Sequence, residues 1–547
     1  MYIDTTTSRR GNKIYVRHLL RTSYRENGKV KHKTIANLSN CPEEEIAALK
    51  LALKHKGKLH MLASLDDLDA TLGKRIGAVW TLNVMAERLG ITKALGTDEE
   101  AQLALLQIIT RTIDQGSRLS AVRFAMRHAI CEILGIKKLD ENDLYANLAW
   151  LAEHQEEIEK RLFEIRFPDT HPSLFLYDVT SSYLEGECNE LANWGYNRDK
   201  KKGKKQIVAG LLAASDGLPV AIRVFEGNTT DTKTVADQVR ILAKSFGVKN
   251  VTLVGDRGML KGPQIESLPD DFRYITAITK PQIQKMLSEG KLQYELFNEK
   301  ICEIKDDGIR YVLRRNPIRA EQMAESRESK LSSIMKVAEK QTLYLTEHPG
   351  ADAAKALGKV IAKIEKLKAA KWLTAEEQER VISVNKDDEA LSKVALLDGC
   401  YVIKSDVTED EADAQTLHDR YCDLEMIERT FRTMKTTHLE MRPVFVKKKT
   451  STQGHAFVVM LALLLQRELE RCWKHIDVSV EEGINELASI HFQDLTLGNK
   501  TVQNIPSPTK LGRQLLEGVA VVLPSVFPKV KANVHTTKKL PPERKLQ

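Results

Sequence analysis

The chain has 547 residues, too many for a single hydrophobic core, so several domains or a core with a large insertion are expected. Lys and Arg number 83 against 75 Asp and Glu, and the formal net charge of +8 only weakly indicates a polyanionic partner. The seven cysteines form no Cys-x2-Cys pair, which argues against a zinc ribbon or a disulfide framework and fits the reducing cytoplasm.

The N-terminal segment, residues 1–58, is predicted to be a basic β-hairpin module. Residues 1–34 contain nine Lys and Arg against two acids, and 14–35 show two strand patterns joined by Asn27-Gly28, a strong hairpin signal. Further basic runs occupy 198–205, 447–449 and 529–547. A solvated surface explains any one run, but several in one chain favour nucleic acid, so the hairpin is a candidate DNA contact.

Residues 59–165 show apolar side chains at helical spacing. This helical region is a candidate DNA-binding region, because it could contain a helix-turn-helix. Its helices could equally be packing supports. No sequence feature marks a recognition helix, so both interpretations stay open.

From residue 166 the pattern becomes strand-like, with strands predicted at 173–179, 206–214 and 218–225. A helix at 232–246 follows, and then a strand at 250–255 that ends at Asp256. Three strands, a crossover helix and a further strand predict an α/β core over 166–285, with the last strand parallel to the first. Another strand is predicted at 273–279.

Residues 286–393 are interpreted as an insertion into that core. They contain strand alternation around Asp307-Gly308 and two long charged helices broken at Pro349-Gly350, which predicts an αα-hairpin. The core resumes over 394–475, and 476–547 form a C-terminal region with a basic tail. The apolar run 456–465 is too short for a membrane span and predicts a buried core helix, so no membrane association is expected.

The segment 420–445 predicts an amphipathic helix with two stripes. The apolar stripe has spacings of 3, 4 and 3 and consists of Leu424, Ile427, Phe431 and Met434. The polar stripe has two spacings of 7 and consists of Tyr421, Glu428 and Lys435. The polar stripe is either a solvated face with weak ion pairs or part of a site.

Three acids occupy distinctive positions. Asp178 lies in the first core strand, where a charge is costly unless it is paired or bound to metal. Asp256 could be a simple turn or N-cap residue, but if its strand neighbours the first one, the two aspartates converge. With Glu428 they would provide the oxygen ligands that hard divalent cations need, and two such ions can hold both reacting oxygens of a phosphodiester.

Four motifs in order give a resemblance to a known family: "YDVTS" at 177–181, "FEGNTTD" at 225–231, "VGDRGM" at 254–259 and "Y…IERTFRTMK" at 421–435. In this respect the chain resembles the DDE transposases of bacterial insertion sequences, in the branch with a Tyr-x2-Arg-x3-Glu-x6-Lys helix. "GHAFVVMLALLL" at 454–465 is similar to the closing helix of the family.

The resemblance implies an RNase H-like α/β core, a mixed sheet flanked by helices, that cuts element ends and joins the 3′-OH to target DNA. It implies that Asp178, Asp256 and Glu428 are ligands of Mg²⁺ or Mn²⁺, with two ions in the site. It also implies that Tyr421 and Lys435 hold DNA phosphates. The implied partners are double-stranded DNA of the ends and the target, with a homodimer assembled on DNA in the bacterial cytosol, at the nucleoid.

One position departs from the motif, because its arginine falls on Leu424. Arg432 or Arg257 could supply a guanidinium instead. Some relatives form a DNA hairpin and stack a flipped base on an aromatic residue of the insertion. Whether this chain does so stays open, since Trp372 is the only tryptophan between Asp256 and Glu428.

Three further residues have two interpretations each. Asn228 is either a turn residue or a DNA contact. His455 is interpreted as structural rather than as a general base, because two metal ions would make a histidine unnecessary. Trp194 either stacks on a base or is buried.

The alternative functions are a nuclease with the same core but no joining activity, and a catalytically inactive DNA-binding protein derived from a transposase. The presence of all three acids argues against the second.

Overall fold

The computed structural model describes residues 1–11, 13–57, 68–186, 188–196, 198, 201, 203–435, 439–443, 445–497, 500–525 and 532–536. Among these, the chain forms two units. The first comprises 1–75 and 490–508, and the second comprises 76–489 and 509–523. The predicted basic tail at 529–547, apart from 532–536, and part of the basic run at 198–205 lie outside the described residues.

The strands of the described chain are β1 (Tyr2–Arg10), β2 (Lys13–Glu26), β3 (Lys29–Asn37), β4 (Leu68–Arg75), β5 (Lys138–Leu139), β6 (Leu174–Tyr183), β7 (Gln206–Ala214), β8 (Pro219–Phe225), β9 (Val251–Gly255), β10 (Phe272–Ala277), β11 (Cys302–Asp306), β12 (Ile309–Arg315), β13 (Leu373–Gln378), β14 (Val381–Lys386), β15 (Cys400–Ser405), β16 (His491–Leu497), β17 (Lys500–Asn504) and β18 (Asn533–Val534).

The α-helices of the same residues are α1 (Glu43–Lys54), α2 (Gly77–Arg88), α3 (Ile91–Leu95), α4 (Glu99–Ile113), α5 (Arg118–Arg127), α6 (Ile130–Leu134), α7 (Glu141–Arg166), α8 (Asp231–Arg240), α9 (Gly262–Glu266), α10 (Lys280–Ser288), α11 (Pro317–Glu347), α12 (Ala353–Lys366), α13 (Asp388–Ala395), α14 (Ala414–Cys422), α15 (Leu424–Lys435), α16 (Lys449–Trp473), α17 (Val480–Ala488) and α18 (Lys510–Gly518).

The first unit begins with an antiparallel sheet in the order β1-β2-β3. The predicted hairpin is confirmed, since β2 and β3 join at Asn27 and Gly28, whose φ angles of 49° and 74° match a two-residue turn. β1 was not predicted, because its sequence "YIDTTTSRR" lacks an apolar alternation. Most side chains of this sheet are exposed.

A second sheet of the first unit has the order β17-β16-β4. β4 and β16 pair antiparallel although more than 400 positions separate them. The sequence pattern assigned 68–75 to the helical region and 491–504 to the C-terminal region. The pairing joins these segments instead, and such a distant partner is not visible in local periodicity.

The second unit is built on an eight-stranded sheet in the order β11-β12-β15-β10-β9-β6-β7-β8. β6, β7 and β8 pair antiparallel, whereas β6, β9 and β10 pair parallel. The prediction that the strand ending at 255 runs parallel to the first core strand is therefore confirmed. This is a mixed α/β architecture, in which every residue of β7 is buried.

Helices cover this sheet and bury its apolar side chains. Phe163 of α7 stacks on Phe246 at a centroid distance of 4.3 Å within the core cluster. α16 packs on α4, α7 and β8, and the backbone of its Gly454 lies against Leu148 so closely that a Cβ would overlap. This packing explains the apolar spacing of the helical region. Within the described residues, no helix combines the length and apolar character needed to span a bilayer.

The predicted insertion at 286–393 starts too early. β11 and β12 belong to the large sheet, where β12 pairs antiparallel with β15 and buries Val312 and Leu313. These strands need sheet partners for their apolar side chains, which is why they extend the core. The insertion proper comprises the α11–α12 hairpin, β13, β14 and α13, with its own apolar cluster that includes Trp372.

Candidate active site

The first predicted acid lies on a strand, and the second directly follows the end of the neighbouring strand. β6 and β9 are parallel, and their last registered pair is Tyr177 with Gly255. Asp178 and Asp256 are the next residues of the two segments, so both lie at the same place along the sheet. β6 continues past Asp178, whereas β9 ends at Gly255 and the chain turns at Asp256. The carbonyl of Asp256 accepts a hydrogen bond from Met259 N–H at 2.9 Å.

The third acid is carried by a helix that differs from the prediction. The segment predicted as one helix is two, α14 and α15, interrupted at Asp423. Here the Met426 N–H donates to the carbonyl of Asp423, three residues earlier, at 2.9 Å, whereas an α-helical hydrogen bond spans four residues. Tyr421 therefore belongs to α14 rather than to the helix of Glu428 and Lys435. Ile427, Phe431 and Met434 are buried, as the apolar stripe predicts.

One cavity of about 440 Å³ brings the three acids together. Its lining residues are Asp178, Asp256, Arg257, Ala277, Ile278, Lys280, Ile283, Asn316, Cys400, Tyr401, Tyr421, Cys422, Leu424, Glu425 and Glu428. Side chains from β6, the β9 turn and α15 thus face the same space, although 172 positions separate Asp256 from Glu428 (428 − 256).

The environment of Asp178 disfavours its negative charge. Burial raises the pKa of this carboxyl to about 7, and the nearby Asp256 and Glu428 carboxylates add to the increase. Val179 N–H donates to Asp178 Oδ1 at 2.7 Å, and this bond and the Arg198 guanidinium oppose the increase. A cation in the cavity would stabilise the ionised form of this partly buried carboxyl, which has two acidic neighbours.

Tyr421 connects α14 to the turn that follows β9. Its hydroxyl donates to Asp256 Oδ1 at 3.4 Å. Burial, and then the charge of Asp256, raise the pKa of the phenol above its usual value, while Arg257 opposes the increase. The hydroxyl therefore stays protonated and can donate a hydrogen bond to an anion.

The donor set fits a hard divalent cation, because it consists of carboxylate oxygens from three segments. The described residues contain no group of three or more His, Cys, Asp or Glu side chains close enough together to hold a metal ion. The three acids therefore share a cavity without forming a compact ligand cluster, and further oxygen ligands would have to come from a substrate or from water.

The predicted phosphate contacts are divided between two places. Arg257 and Tyr421 line the cavity, and so does Leu424, where the motif has arginine. Exposed Arg432 and half-buried Lys435 lie further along α15 and are not among the residues that line the cavity. Leu424 is only partly buried, so its position is not a core position, contrary to the expectation for the apolar stripe.

The sequence prediction missed two charged residues of the cavity. Glu425 lies one helical turn before Glu428, and the i, i+3 spacing was a usable signal. Lys280 begins α10 shortly after β10, and only the observed strand order brings it to this cavity. In the sequence, Arg198 stands out only as part of a basic run. Its guanidinium pairs with Asp231 at 2.6 Å, and its charge opposes the increase in the pKa of Asp178.

Asn228 lies in a second groove of about 350 Å³. The groove is lined by Tyr196, Arg198, Gln206, Val208, Gly227, Asn228, Thr229, Thr230, Asp231, Thr232, Gly258 and Lys261. Asn228 itself is exposed at the turn after β8. It is thus separate from the residues that line the acidic cavity.

The remaining candidates are resolved by their burial. Trp372 is only 5% exposed and packs in the core of the insertion, so it presents no free ring face. Trp194 is 59% exposed, against the alternative that it is buried. His455 is buried, with Nδ1 3.2 Å from Arg118 Nη2 and Nε2 3.1 Å from the Glu440 carbonyl, and burial lowers its pKa. This agrees with a structural role.

Comparisons with known proteins bear on the family of the chain. The model of the IS1634 family transposase N-terminal domain matches residues 3–63. The model of the transposase DDE domain matches residues 169–465, which is more than half of the 547 residues. No curated protein matches the chain.

A cryo-EM structure of the piggyBac transposase synaptic complex with hairpin DNA is similar over 75% of this chain and 75% of that chain. The sequence identity is 8% and the TM-score is 0.35, and a similarity at this level supports no inference about the present chain.

Proposed function

Because this chain belongs to the DDE transposase family, we propose that it cuts its insertion-sequence ends and joins the freed 3′-OH groups to target DNA, with Asp178, Asp256 and Glu428 as ligands of divalent cations. Family membership makes the chain a DDE-type transposase. The roles of single residues are inferred from the cavity.

The observation that carries these roles is the convergence of the three acids on one cavity. Asp178 has a carboxyl whose pKa is raised by burial and by its acidic neighbours, so a cation would remove an electrostatic penalty there. We propose Mg²⁺ or Mn²⁺, with two ions, because hard cations select carboxylate oxygens. When bound, such ions activate the attacking oxygen and stabilise the leaving oxygen of a phosphodiester.

The other residues of the cavity position the DNA. The side chains of Tyr421 and Arg257 line the cavity at the turn that follows β9. There they can donate hydrogen bonds to a phosphate beside Asp256. Arg257 takes the role that the motif gives to the arginine replaced by Leu424. Lys435 and Arg432 contact phosphates further along the strand, since they lie one to two turns beyond Glu428 on α15.

We also propose that β6 to β10 form an RNase H-like core. Support comes from three antiparallel strands, β8-β7-β6, followed by the parallel strands β9 and β10. In this arrangement the sheet holds two acids on adjacent strands and α15 supplies the third. Rigid strands keep the aspartates in fixed positions, which is what a catalytic metal site requires.

The N-terminal sheet is the proposed anchor for element ends. Pairing registers put Arg10, Lys13, Arg17, Arg21 and Arg25 on one face, which we call the arginine face. Asp4 is the acid on that face, and it pairs with Arg21 at 2.6 Å. Arginine suits phosphates and base edges better than lysine does, because its fork donates two hydrogen bonds at once. We expect double-stranded DNA on this face and a homodimer on the paired ends.

An assay for cleavage and joining tests the proposal. Purified protein is incubated with labelled element-end DNA, target plasmid and Mg²⁺, and both nicked and joined products are measured. Joined product that disappears with chelator supports the proposal. Cleavage without joining, over varied ends and targets, would show a nuclease instead, and end binding without either product would show an inactive DNA-binding protein.

A further inference from the structure

We propose that the groove around Asn228 binds a nucleotide next to the cleaved phosphodiester, with the base stacked on Tyr196. The inference rests on the proposed function, since it concerns the same DNA strand. It assigns a ligand to a groove that the three acids do not line, and it is carried by the aromatic loop between β6 and β7.

This loop exposes two aromatic side chains within three residues. Trp194 is 59% exposed and Tyr196 is 84% exposed. Exposed rings offer π faces to any base, and such stacking is a common source of affinity in single-strand binding. Tyr196 itself lines the groove, so a base stacked on its ring would sit at the groove entrance.

The backbone of the loop is held firmly. Asn193 and Gln206 exchange two backbone hydrogen bonds of 3.0 Å. Gln206 also donates from Nε2 to the carbonyls of Gly227, at 2.8 Å, and Tyr196, at 3.2 Å. A Cβ added to Gly195 would overlap the Gly227 carbonyl, so the aromatic loop packs backbone to backbone on the Asn228 turn. Because the backbone is already held, little further ordering of the loop is needed when a base binds.

The polar groups of the groove suit a phosphate and a base edge. Asn228 is exposed and presents an amide, and Lys261, which also lines the groove, adds an ammonium. Arg198 and Asp231 are paired at 2.6 Å, which leaves the three charges with a net of +1. The threonine hydroxyls at 229, 230 and 232 add further donors and acceptors.

The groove adjoins the acidic cavity. A Cβ on Gly258 would lie 3.5 Å from Asp231 Oδ2 in the groove and 3.8 Å from Asp256 Oδ2 in the cavity. Arg198 also lies close enough to Asp178 to affect it electrostatically. A DNA strand with one phosphate at the acids therefore places a neighbouring nucleotide at the groove. This nucleotide must be unpaired, because a base within a duplex presents no free face to Tyr196.

The test uses end DNA in which 2-aminopurine replaces one base at a time on either side of the cleavage point. The fluorescence of 2-aminopurine falls when this base stacks on an aromatic ring. Full-length protein is added with Ca²⁺ so that binding is measured without turnover. We expect quenching at one flanking position with wild type and with Tyr196→Phe, and its loss with Tyr196→Ala. Tyr294→Ala, a partly exposed tyrosine outside the groove, is the matched control and should quench like wild type.

The same proteins are then compared for joining in Mg²⁺. Tyr196→Ala should join roughly tenfold more slowly than wild type, with Tyr196→Phe near wild type. If wild type joins DNA but Tyr196→Ala quenches and joins like wild type, the groove assignment is wrong and the proposed function stands. If wild type does not join at all, the proposed function fails, and the quenching result still decides the groove.

Discussion

Two sheets of this chain, β1-β2-β3 and the large sheet around β7, use the same secondary structure for opposite purposes. Every residue of β7, "QIVAGLLAA", is buried, whereas no residue of β2, "KIYVRHLLRTSYRE", is fully buried. A strand buried on both faces reads as a continuous apolar run, and an exposed strand can carry a cation at every second position. The large sheet therefore positions the acids that we propose as catalytic, and the small one offers a charged surface.

Because of this difference, substitutions should affect the two sheets in different ways. Substitutions in β7 act through packing, while those on β2 act through charge at the surface. The acids at β6 and the β9 turn combine both situations, because they belong to the central part of the buried sheet and yet face a cavity. Function in the large sheet should therefore be sensitive to single atoms, and function in the small sheet to the cations on its arginine face.

The largest effect is expected at the acidic cavity. Asp256→Asn should reduce cleavage and joining by roughly a hundredfold to a thousandfold or more, because a developing charge loses its stabilisation. End binding should stay intact or become slightly stronger, since one repulsive charge near phosphates is removed. Product gels and gel-shift titrations measure both. A variant that joins DNA at the wild-type rate would remove Asp256 from the mechanism.

The second effect concerns stability and compares the two sheets directly. Leu212→Ala in β7 should lower the free energy of unfolding by about 2–5 kcal/mol, because it leaves a cavity in the core. Val16→Ala in β2, where the side chain is 48% exposed, should change it by less than about 0.5 kcal/mol. Denaturant unfolding checks this. Equal losses would mean that the small sheet is covered in solution.

The third effect distinguishes the two faces of the small sheet. Replacing Arg17 and Arg25 with Gln should weaken end binding about tenfold at physiological salt. It should also reduce the slope of log affinity against log salt concentration by about two, the equivalent of two phosphate contacts. The control replaces Lys29 and Lys33, which the registers place on the opposite face, and removes the same charge. If both double variants lose affinity equally, the arginine face has no special role and only net charge matters.

A smaller effect is expected for Lys435→Ala. Removing one proposed phosphate contact should weaken binding a few-fold and reduce the salt slope by about one, while the metal concentration needed for cleavage stays unchanged. Titrations of binding at several salt concentrations and of cleavage against Mg²⁺ measure the two quantities. A shift in the Mg²⁺ requirement without a change in binding would place Lys435 at the metal instead.

The smallest effect is the pH dependence of Asp178. Its folded-state pKa is about 7, above its ordinary value, so the folded state binds more protons and ionisation destabilises it as pH rises from about 4 to 7. In chelator, Asp178→Asn should therefore raise the melting temperature by about 2 °C at pH 8 and leave it unchanged at pH 4 or below. An equal shift at both pH values would show a packing effect rather than a charge effect.

Much of this architecture could be predicted from the sequence. The strands around Asp178 and Asp256 were found because buried strands form apolar runs, and the parallel pairing followed from the crossover helix. β4 and β16 were missed because their pairing is distant along the chain, and β11 and β12 were misplaced because local alternation does not say which sheet a strand joins. Tyr421 was assigned to the helix of Glu428 because one interruption at Asp423 leaves no sequence signal.

The site residues also divide into those with a local sequence signal and those whose position depends on the fold. The three acids were visible as charges in apolar or motif contexts. Lys280 and Arg198 could not be found, because their closeness to the acids depends on strand order and on the fold of a loop. Leu424 was expected in the core, yet it faces the cavity. Its exposure depends on where α15 begins, which periodicity does not determine.

The most direct test of the central claim is affinity cleavage of the protein by a bound metal. Fe²⁺ replaces the divalent ion, and ascorbate with peroxide then generates radicals that cut the backbone near the ion. The proposal requires cuts near 178, 256 and 428 in wild type, all suppressed by excess Mg²⁺ and all lost in Asp256→Asn. Cuts at only one of these segments, or cuts that excess Mg²⁺ does not suppress, would contradict a metal site shared by the three acids.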